Sequence, residues 1–232
     1  MAAGAVPGSA ADVGWRLFFA LPLPPPAVRQ VVDLVGPLRA TFPSTRWTAA
    51  STYHLTLLFL GDLPASALEE LRAILAVAAG QARPFGLRLE GAGSFGGRGR
   101  PRTAWLGLEQ GGEQAAAGLA AALQGGLVRS RSASMAALVT TAAEPFRAHL
   151  TVGRRAEPEV PGALARRLAA QPQIAWRADR IALMRSRLDA DGAQHSVVAW
   201  ARLGQPSRPL PSALPLEAAG EAGAGAEPTE GA

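Results

Sequence analysis

Two short runs carry residues that can do chemistry: His54-Leu55-Thr56-Leu57-Leu58-Phe59-Leu60-Gly61 and His149-Leu150-Thr151-Val152-Gly153-Arg154. The chain has only 3 histidines and spends two of them on one local pattern, His-Leu-Thr followed by an apolar residue. A lone histidine in a strand is most often structural; its repetition turns the reading toward a paired acid and base. Imidazole ionises near neutrality, so one copy can take a proton from an attacking oxygen while the other gives one to a departing oxygen. Hydrolysis or transesterification of a phosphodiester needs both steps. In extended backbone, alternate side chains share a face, so each histidine shares its face with Thr56 or Thr151. Those hydroxyls can hydrogen-bond non-bridging phosphate oxygens. Arg154, just beyond the second run, can either reach the same anion or stand as a surface arginine.

Positioning such a pair requires two strands that meet. The first run predicts a strand buried on both sides, with Leu55, Leu57 and Phe59 on one face and Leu58 and Leu60 continuing the face of His54. Around it, Trp15 to Leu21 reads as a strand, and Val28, Val31, Val32, Val35 and Leu38 recur at helical spacing up to about Ala40. Thr45 to Trp47 is a short strand. A helix follows from Pro64 to Gly80 with Leu68, Leu71, Ile74 and Leu75 as its stripe. Phe85 to Glu90 alternates like a half-buried strand, Gly91 to Arg102 reads as a mobile basic loop, and Thr103 to Leu108 as another strand. A break at Gly111-Gly112 precedes a helix through Leu123. Gly125 to Ala143 reads equally as a flexible insertion or as a short extension of helix or strand. The second histidine strand, a helix over 164–170, a short strand or connection at Trp176, strands over 180–188 and over 196–203, and a turn at Asp189–Gly192 complete the chain. Strands in adjacent pairs between helices imply an α+β fold rich in antiparallel pairing. Two equivalent runs, each followed by a helix, suggest a duplicated half and pseudo-two-fold lobes about a central cleft.

Composition bounds the rest. The 232 residues carry a formal charge of +5, and every one of the 23 basic residues is arginine. From Gln205 onward Arg208 faces Glu217, Glu221, Glu227 and Glu230, so the body is more basic than the whole, which suits a phosphate-bearing partner. The absence of cysteine excludes disulfides, zinc–thiolate centres and thiol nucleophiles. Residues 1–14 and 205–232 are small-residue or Pro/Ala/Gly/Glu rich and are expected to be disordered, flanking one domain over 15–204. No signal-peptide pattern and no stretch long and apolar enough to span a bilayer is visible, so a cytoplasmic, monomeric protein away from membranes is expected.

The two histidine runs resemble the paired signatures of the 2H phosphoesterase superfamily, and within it the RNA 2′,3′-cyclic phosphodiesterase family, historically named bacterial 2′-5′ RNA ligases. Arg16-Leu-Phe-Phe-Ala-Leu21, Arg46-Trp47, Arg102-Thr-Ala-Trp-Leu-Gly107 and Met184-Arg-Ser-Arg-Leu188 extend the resemblance over about 15–204. It implies a bilobal α+β fold with two antiparallel-rich sheets and helices outside. It also implies opening of a 2′,3′-cyclic phosphate at an RNA end, tRNA halves among the candidate substrates, to leave a 2′-phosphomonoester without metal or other cofactor. By similarity His54 is the general acid toward the departing 3′-oxygen and His149 the general base toward water. Thr56 and Thr151 hold phosphate oxygens, with Arg154 a secondary contact. The chain departs from the family at Ala148, where proline is usual, at Leu58, where lysine is common, and in a longer 125–143 segment. His195 stands where an aromatic, often tyrosine, is common, and reads as structural or substrate-stacking. Rival functions are a small cyclic-nucleotide phosphodiesterase, a 2′-5′ RNA ligase, an RNA-end-binding module with weak catalysis and a purely structural repeat.

Two other patterns dissolve on inspection. Gly91-Ala-Gly-Ser-Phe-Gly96 has dinucleotide-loop spacing but is followed by Gly97, Arg98, Gly99, Arg100 and Pro101 rather than a helix. Arg98, Arg100 and Arg102 are candidate RNA-phosphate contacts or simply solvated charge. Asp189-Ala-Asp-Gly192 opens like a calcium loop but lacks the later ligands, and no ligand spacing suggests a metal.

Overall fold

A computed structural model describes residues 14–97, 100–130, 146–189 and 192–205. The expected termini, most of the 125–143 segment and Arg98 therefore lie outside the described residues. The elements run β1 (Trp15–Pro22), α1 (Pro25–Thr41), β2 (Arg46–Trp47), β3 (His54–Leu63), α2 (Leu68–Gln81), β4 (Phe85–Gly97), β5 (Arg100–Leu108), α3 (Gln110–Arg129), β6 (Leu150–Arg154), α4 (Val160–Ala169), β7 (Ala175–Ala178), β8 (Arg180–Asp189) and β9 (Gly192–Arg202). The α+β class is as the sequence predicts, and so is the order of elements up to the last helix; after it β7 at Trp176 is a strand rather than a connection, paired to β4.

The strands form one antiparallel path, β7-β4-β5-β6-β3-β1-β8-β9, with β2 paired to β6. The two expected sheets are thus halves of a single sheet. They join at β3 and β6 through one register pair, Leu55 with Leu150. Each histidine strand is the innermost strand of its half, which is the pseudo-symmetry the repeat implies. Leu55 and Leu150 are both fully buried, in a continuous core with Leu17, Phe19 and Leu21 of β1, Leu106 of β5 and the apolar stripes of all four helices. Burial of this apolar surface drives the fold. Across β1 and β8, a small second cluster (Phe18, Ala20, Ala182 and Met184) lies on the other side of the strands.

Three expectations are corrected. In β3, register shifts opposite Leu17/Phe18 and Phe19/Ala20 break the alternation. Leu60 turns into the core at 2% exposure, while Phe59 is 50% exposed under the Arg16 guanidinium, 4.7 Å from its ring centroid. An extra residue in one strand resets which side faces in. The Gly91–Arg102 stretch is not a loop: β4 and β5 continue through most of it, with positive φ at Gly91, Gly96 and Gly97 absorbing the bends. Gly93 lies under the Trp105 ring so closely that a Cβ would come within 2.4 Å of it, so the glycine reflects close approach rather than disorder. Gly111 and Gly112 do not break α3; their amides donate to the Glu109 carboxylate (2.7 and 2.5 Å), which caps the first turn. The helix then runs past Leu123 to Arg129.

Candidate active site

Because Leu55 and Leu150 point into the core, their strand neighbours project to the other side. Extending the antiparallel register by one residue each way sets His54 opposite Thr151 and Thr56 opposite His149. The join between the halves therefore turns all four predicted residues to one side of the sheet, and the charges of His149 and Arg154 reach His54.

Both imidazoles are oriented by the same backbone device. His54 Nδ1 lies 2.7 Å from the Thr52 carbonyl and His149 Nδ1 lies 2.8 Å from the Arg147 carbonyl, in each case two residues back. A carbonyl only accepts, so Nδ1 carries the proton in both rings and Nε2 of the neutral form keeps its lone pair. In the first half Nε2 accepts from the Thr56 hydroxyl at 3.0 Å. Among the described residues His149 makes no such bond to Thr151.

Aromatic rings wall both histidines. Phe18 lies 4.8 Å from His54, and His195 meets both edge-on, 5.1 Å from His54 and 5.2 Å from Phe18, ring centroid to centroid. On the other side Phe95 packs edge-on to His149 at 4.8 Å, and Trp105 lies 6.4 Å away with Arg147 stacked over it at 4.6 Å. This burial dominates the electrostatics. Burial, opposed by the Thr52 carbonyl and aided by the neighbouring His195, His149 and Arg154 charges, lowers the pKa of His54 from 6.5 to about 4. Burial likewise lowers His149, assisted by the Arg147 charge, and lowers His195, assisted by Arg154. Arg154 is exposed, and its charge is felt at His54 and His195, in the half opposite its own strand. Anything held among these groups meets two imidazole Nε2 positions, two hydroxyls and a guanidinium. That set can bind an anion and move protons on either side of it.

The predicted residues thus divide. His54, Thr56, His149 and Thr151 turn to one side, and Arg154 and His195 border them, His195 as a ring edge-on to His54 and Phe18. Arg102 lies against Gly97 at the hairpin end and is not among the charges acting on the three histidines. Only the backbone of Arg100 is described. Sequence reasoning missed Phe18, Phe95, Trp105 and Arg147. Strand alternation from Arg16 through Phe18 to Ala20 could have flagged Phe18, whereas Phe95 was hidden in the glycine-rich stretch. Among the described residues no cluster of His, Asp and Glu has the arrangement of a metal site, and no helix is long and apolar enough to cross a membrane.

Comparison with known proteins converges on one group. The family described as the 2′-5′ RNA ligase superfamily matches residues 24–190. An RNA 2′,3′-cyclic phosphodiesterase of Thermus thermophilus is 31% identical over 187 residues, 79% of this chain and 87% of that protein. A protein of the same name from Geobacillus stearothermophilus is 28% identical over 191 residues; the match takes in 82% of this chain but spans 58% of the length of that relative. Among solved structures, TT0787 of Thermus thermophilus superposes with a TM-score of 0.65 at 28% identity, over 82% of this chain and 98% of that one. Apo LigT of E. coli superposes with a TM-score of 0.60 at 26% identity, over 84% of this chain and all of that one.

Proposed function

Because the chain belongs to the 2′-5′ RNA ligase superfamily, we propose that it hydrolyses the 2′,3′-cyclic phosphate at an RNA end to a 2′-phosphomonoester, by acid–base catalysis between His54 and His149. The observation that carries this reading is the Leu55–Leu150 pair, which turns two separate His-x-Thr runs into one four-residue face. Water attacks phosphorus as its proton passes to His149 Nε2. The bond from phosphorus to the 3′-oxygen breaks, and that oxygen takes the proton of His54 Nε2. The products are a 2′-phosphate and a 3′-hydroxyl, and the histidines end with their protons exchanged, to be reset by solvent.

Burial makes the acid's proton the difficult part. A resting pKa of about 4 leaves His54 neutral at pH 7. The cyclic phosphate is an anion; placed between the imidazoles it supplies the opposite charge that favours imidazolium. Protonation of Nε2 also ends its role as acceptor for Thr56. The threonine hydroxyl is then released to donate to a phosphate oxygen, while Thr151 and Arg154 hold the anion from the second half. Loading the acid and freeing a phosphate donor become one event.

RNA ends such as those of cleaved tRNA are the substrate class, and the enzyme is expected to act as a monomer. The test is a defined oligoribonucleotide ending in a 2′,3′-cyclic phosphate, incubated in EDTA and analysed for its product. A 2′-phosphate formed at undiminished rate is expected. A 3′-phosphate, or a reaction that EDTA stops and a divalent cation restores, would overturn the mechanism. The kcat/KM profile should be bell-shaped, rising with pH through the lower histidine pKa and falling through the higher one, with both limbs below 6.5. The superfamily's description also favours a second reading: with an RNA 5′-hydroxyl in place of water, His149 would take the hydroxyl proton, the 5′-oxygen would bond to phosphorus, and the 3′-oxygen would leave with the proton of His54, giving a 2′-5′ linkage.

A further inference from the structure

Strand β9 is the outer edge of the first half, and its side chains do not alternate simply. Its register with β8 slips between Leu183 and Met184, which pair with Ala199 and Val197, so Val198 is the extra residue. The slip has a directional result. Val198, Ala199 and Ala201 pack against the main core. Trp200 is set opposite Ala182, a member of the small cluster beside His54, and therefore faces the same side as the histidines. Without the extra residue, the alternation that places His195 and Val197 on this face would have turned Trp200 away. Trp200 is 47% exposed, and Val197, between it and His195, is 55% exposed.

Trp200 is also electrostatically distinctive. Arg180 and Arg202, paired across β8 and β9, both stand over its ring, at 5.8 and 5.9 Å from the centroid. Among the described residues Asp179 is the carboxylate that meets these arginines, held by Arg180 at 3.0 Å, with its pKa lowered by Arg180 and, more weakly, by Arg202. An exposed indole flanked by two guanidiniums and one carboxylate, net positive, is matched to a base with its phosphates: the ring offers a stacking surface and the arginines neutralise backbone charge. The row Thr56, Ala20, Ala182, Trp200 runs across three strand spacings, about 14 Å. That is farther than the terminal nucleoside reaches, and within reach of the nucleotides preceding it.

We propose that Trp200, with Arg180 and Arg202, is a stacking platform for a nucleotide upstream of the cyclic end, and that it makes the enzyme select an RNA strand over a cyclic mononucleotide. The proposal deepens the reaction proposed above and rests on it for its substrate. His195 and the β4–β5 strand pair are not part of the platform, which lies at the far side of the sheet from those strands.

The experiment compares a 2′,3′-cyclic-ended tetraribonucleotide with a 2′,3′-cyclic mononucleotide. Trp200→Ala should lower kcat/KM on the tetranucleotide about 10-fold or more, change the mononucleotide value less than twofold, and be largely rescued by Trp200→Phe. Arg180→Gln with Arg202→Gln should flatten the salt dependence on the tetranucleotide alone. Fluorescence anisotropy of a labelled tetraribonucleotide bearing a 2′-phosphate reads binding without turnover. It should show the same Trp200→Ala loss even if the catalytic reading fails. Equal effects on both substrates, or unchanged tetranucleotide binding in a variant with native circular dichroism, would overturn the platform. So would a concentration-dependent dimer that Trp200→Ala dissolves while RNA binding is retained, which would make this edge a protein contact.

Discussion

The two halves of the site present the same residues in different states. Around His54, Nε2 is engaged by Thr56, the ring is hemmed by Phe18 and His195, and the pKa is about 4. Around His149 the flanking aromatics come from the β4–β5 hairpin, as Phe95 and Trp105. The ring has no threonine partner among the described residues, and Arg147 supplies the charge that acts on its ionisation. Equal spacing in sequence has not produced equal electrostatics. A duplicated motif sets where two groups stand; the neighbours brought by the rest of each half set what each can do. In the proposed reaction one histidine acquires its proton together with the substrate, and the other stands ready to accept one.

The largest expected effects break the pair itself. His54→Ala and His149→Ala should each reduce turnover of a cyclic-ended oligoribonucleotide by at least about 10²-fold. The double variant should lose little more than the worse single one, because the two act as a unit. Single-turnover rates would measure this, and retained activity in either single variant would remove that histidine from the mechanism. Assigning different roles to the halves needs a sharper substrate. Replacing the departing 3′-oxygen with sulfur gives a leaving group that needs little protonation. Turnover by His54→Ala should then recover substantially, while His149→Ala stays slow; the reverse outcome would exchange acid and base.

Thr56→Val removes the hydroxyl that holds resting His54 Nε2 and, in the proposed reaction, a donor to the phosphate. The charge-assisted bond lost in the complex predicts about a 10- to 100-fold fall in kcat/KM. Thr151→Val should cost a similar amount without moving the pH dependence of its histidine, which a pair of pH profiles can separate. Gly93→Ala tests the support of the second half. The Cβ cannot fit beneath Trp105 without displacing the ring, so a loss of about 1–3 kcal/mol in denaturant unfolding is expected, with activity falling through His149 rather than His54.

The last prediction is on acid stability and leaves activity at neutral pH out of account. His54 has a folded pKa of about 4, below its unfolded value of 6.5, so the unfolded chain takes up the proton first as pH falls. The stability tied to neutral His54 is therefore complete above 6.5 and is lost progressively down to about 4. His54→Gln should show a shallower decline in Tm over that window. An unchanged slope would mean that the imidazole is better solvated than its surroundings imply.

Much of the site was legible because it is local. Each His-x-Thr face follows from strand geometry, and their meeting follows from the repeat. What was not legible arises from pairing. The shifts in β3 that move Phe59 outward and Leu60 inward depend on how β1 lies against it, and no residue type in either strand demands them. The glycines of β4 argue for a loop when read alone. Only Trp105 from the adjacent strand explains Gly93 and allows Phe95 to reach His149. The carbonyls of Thr52 and Arg147, which set both imidazole tautomers, are backbone atoms and leave no trace in residue identity. Trp200 likewise has an ambiguous side until the extra residue in β9 is seen.

The single Leu55–Leu150 pair between β3 and β6 has one more consequence. It is a short seam, yet it does not stand alone: β2 pairs with β6, the Ser44 amide donates to the Glu157 carboxylate, and Arg167 donates to the Leu34 carbonyl. A continuous core lies beneath all of these ties. The seam is therefore braced from both ends rather than free to rock. The two histidines, each one residue from it, sit like jaws in a clamped vice, whose gap is fixed by the frame rather than by the thin contact between them.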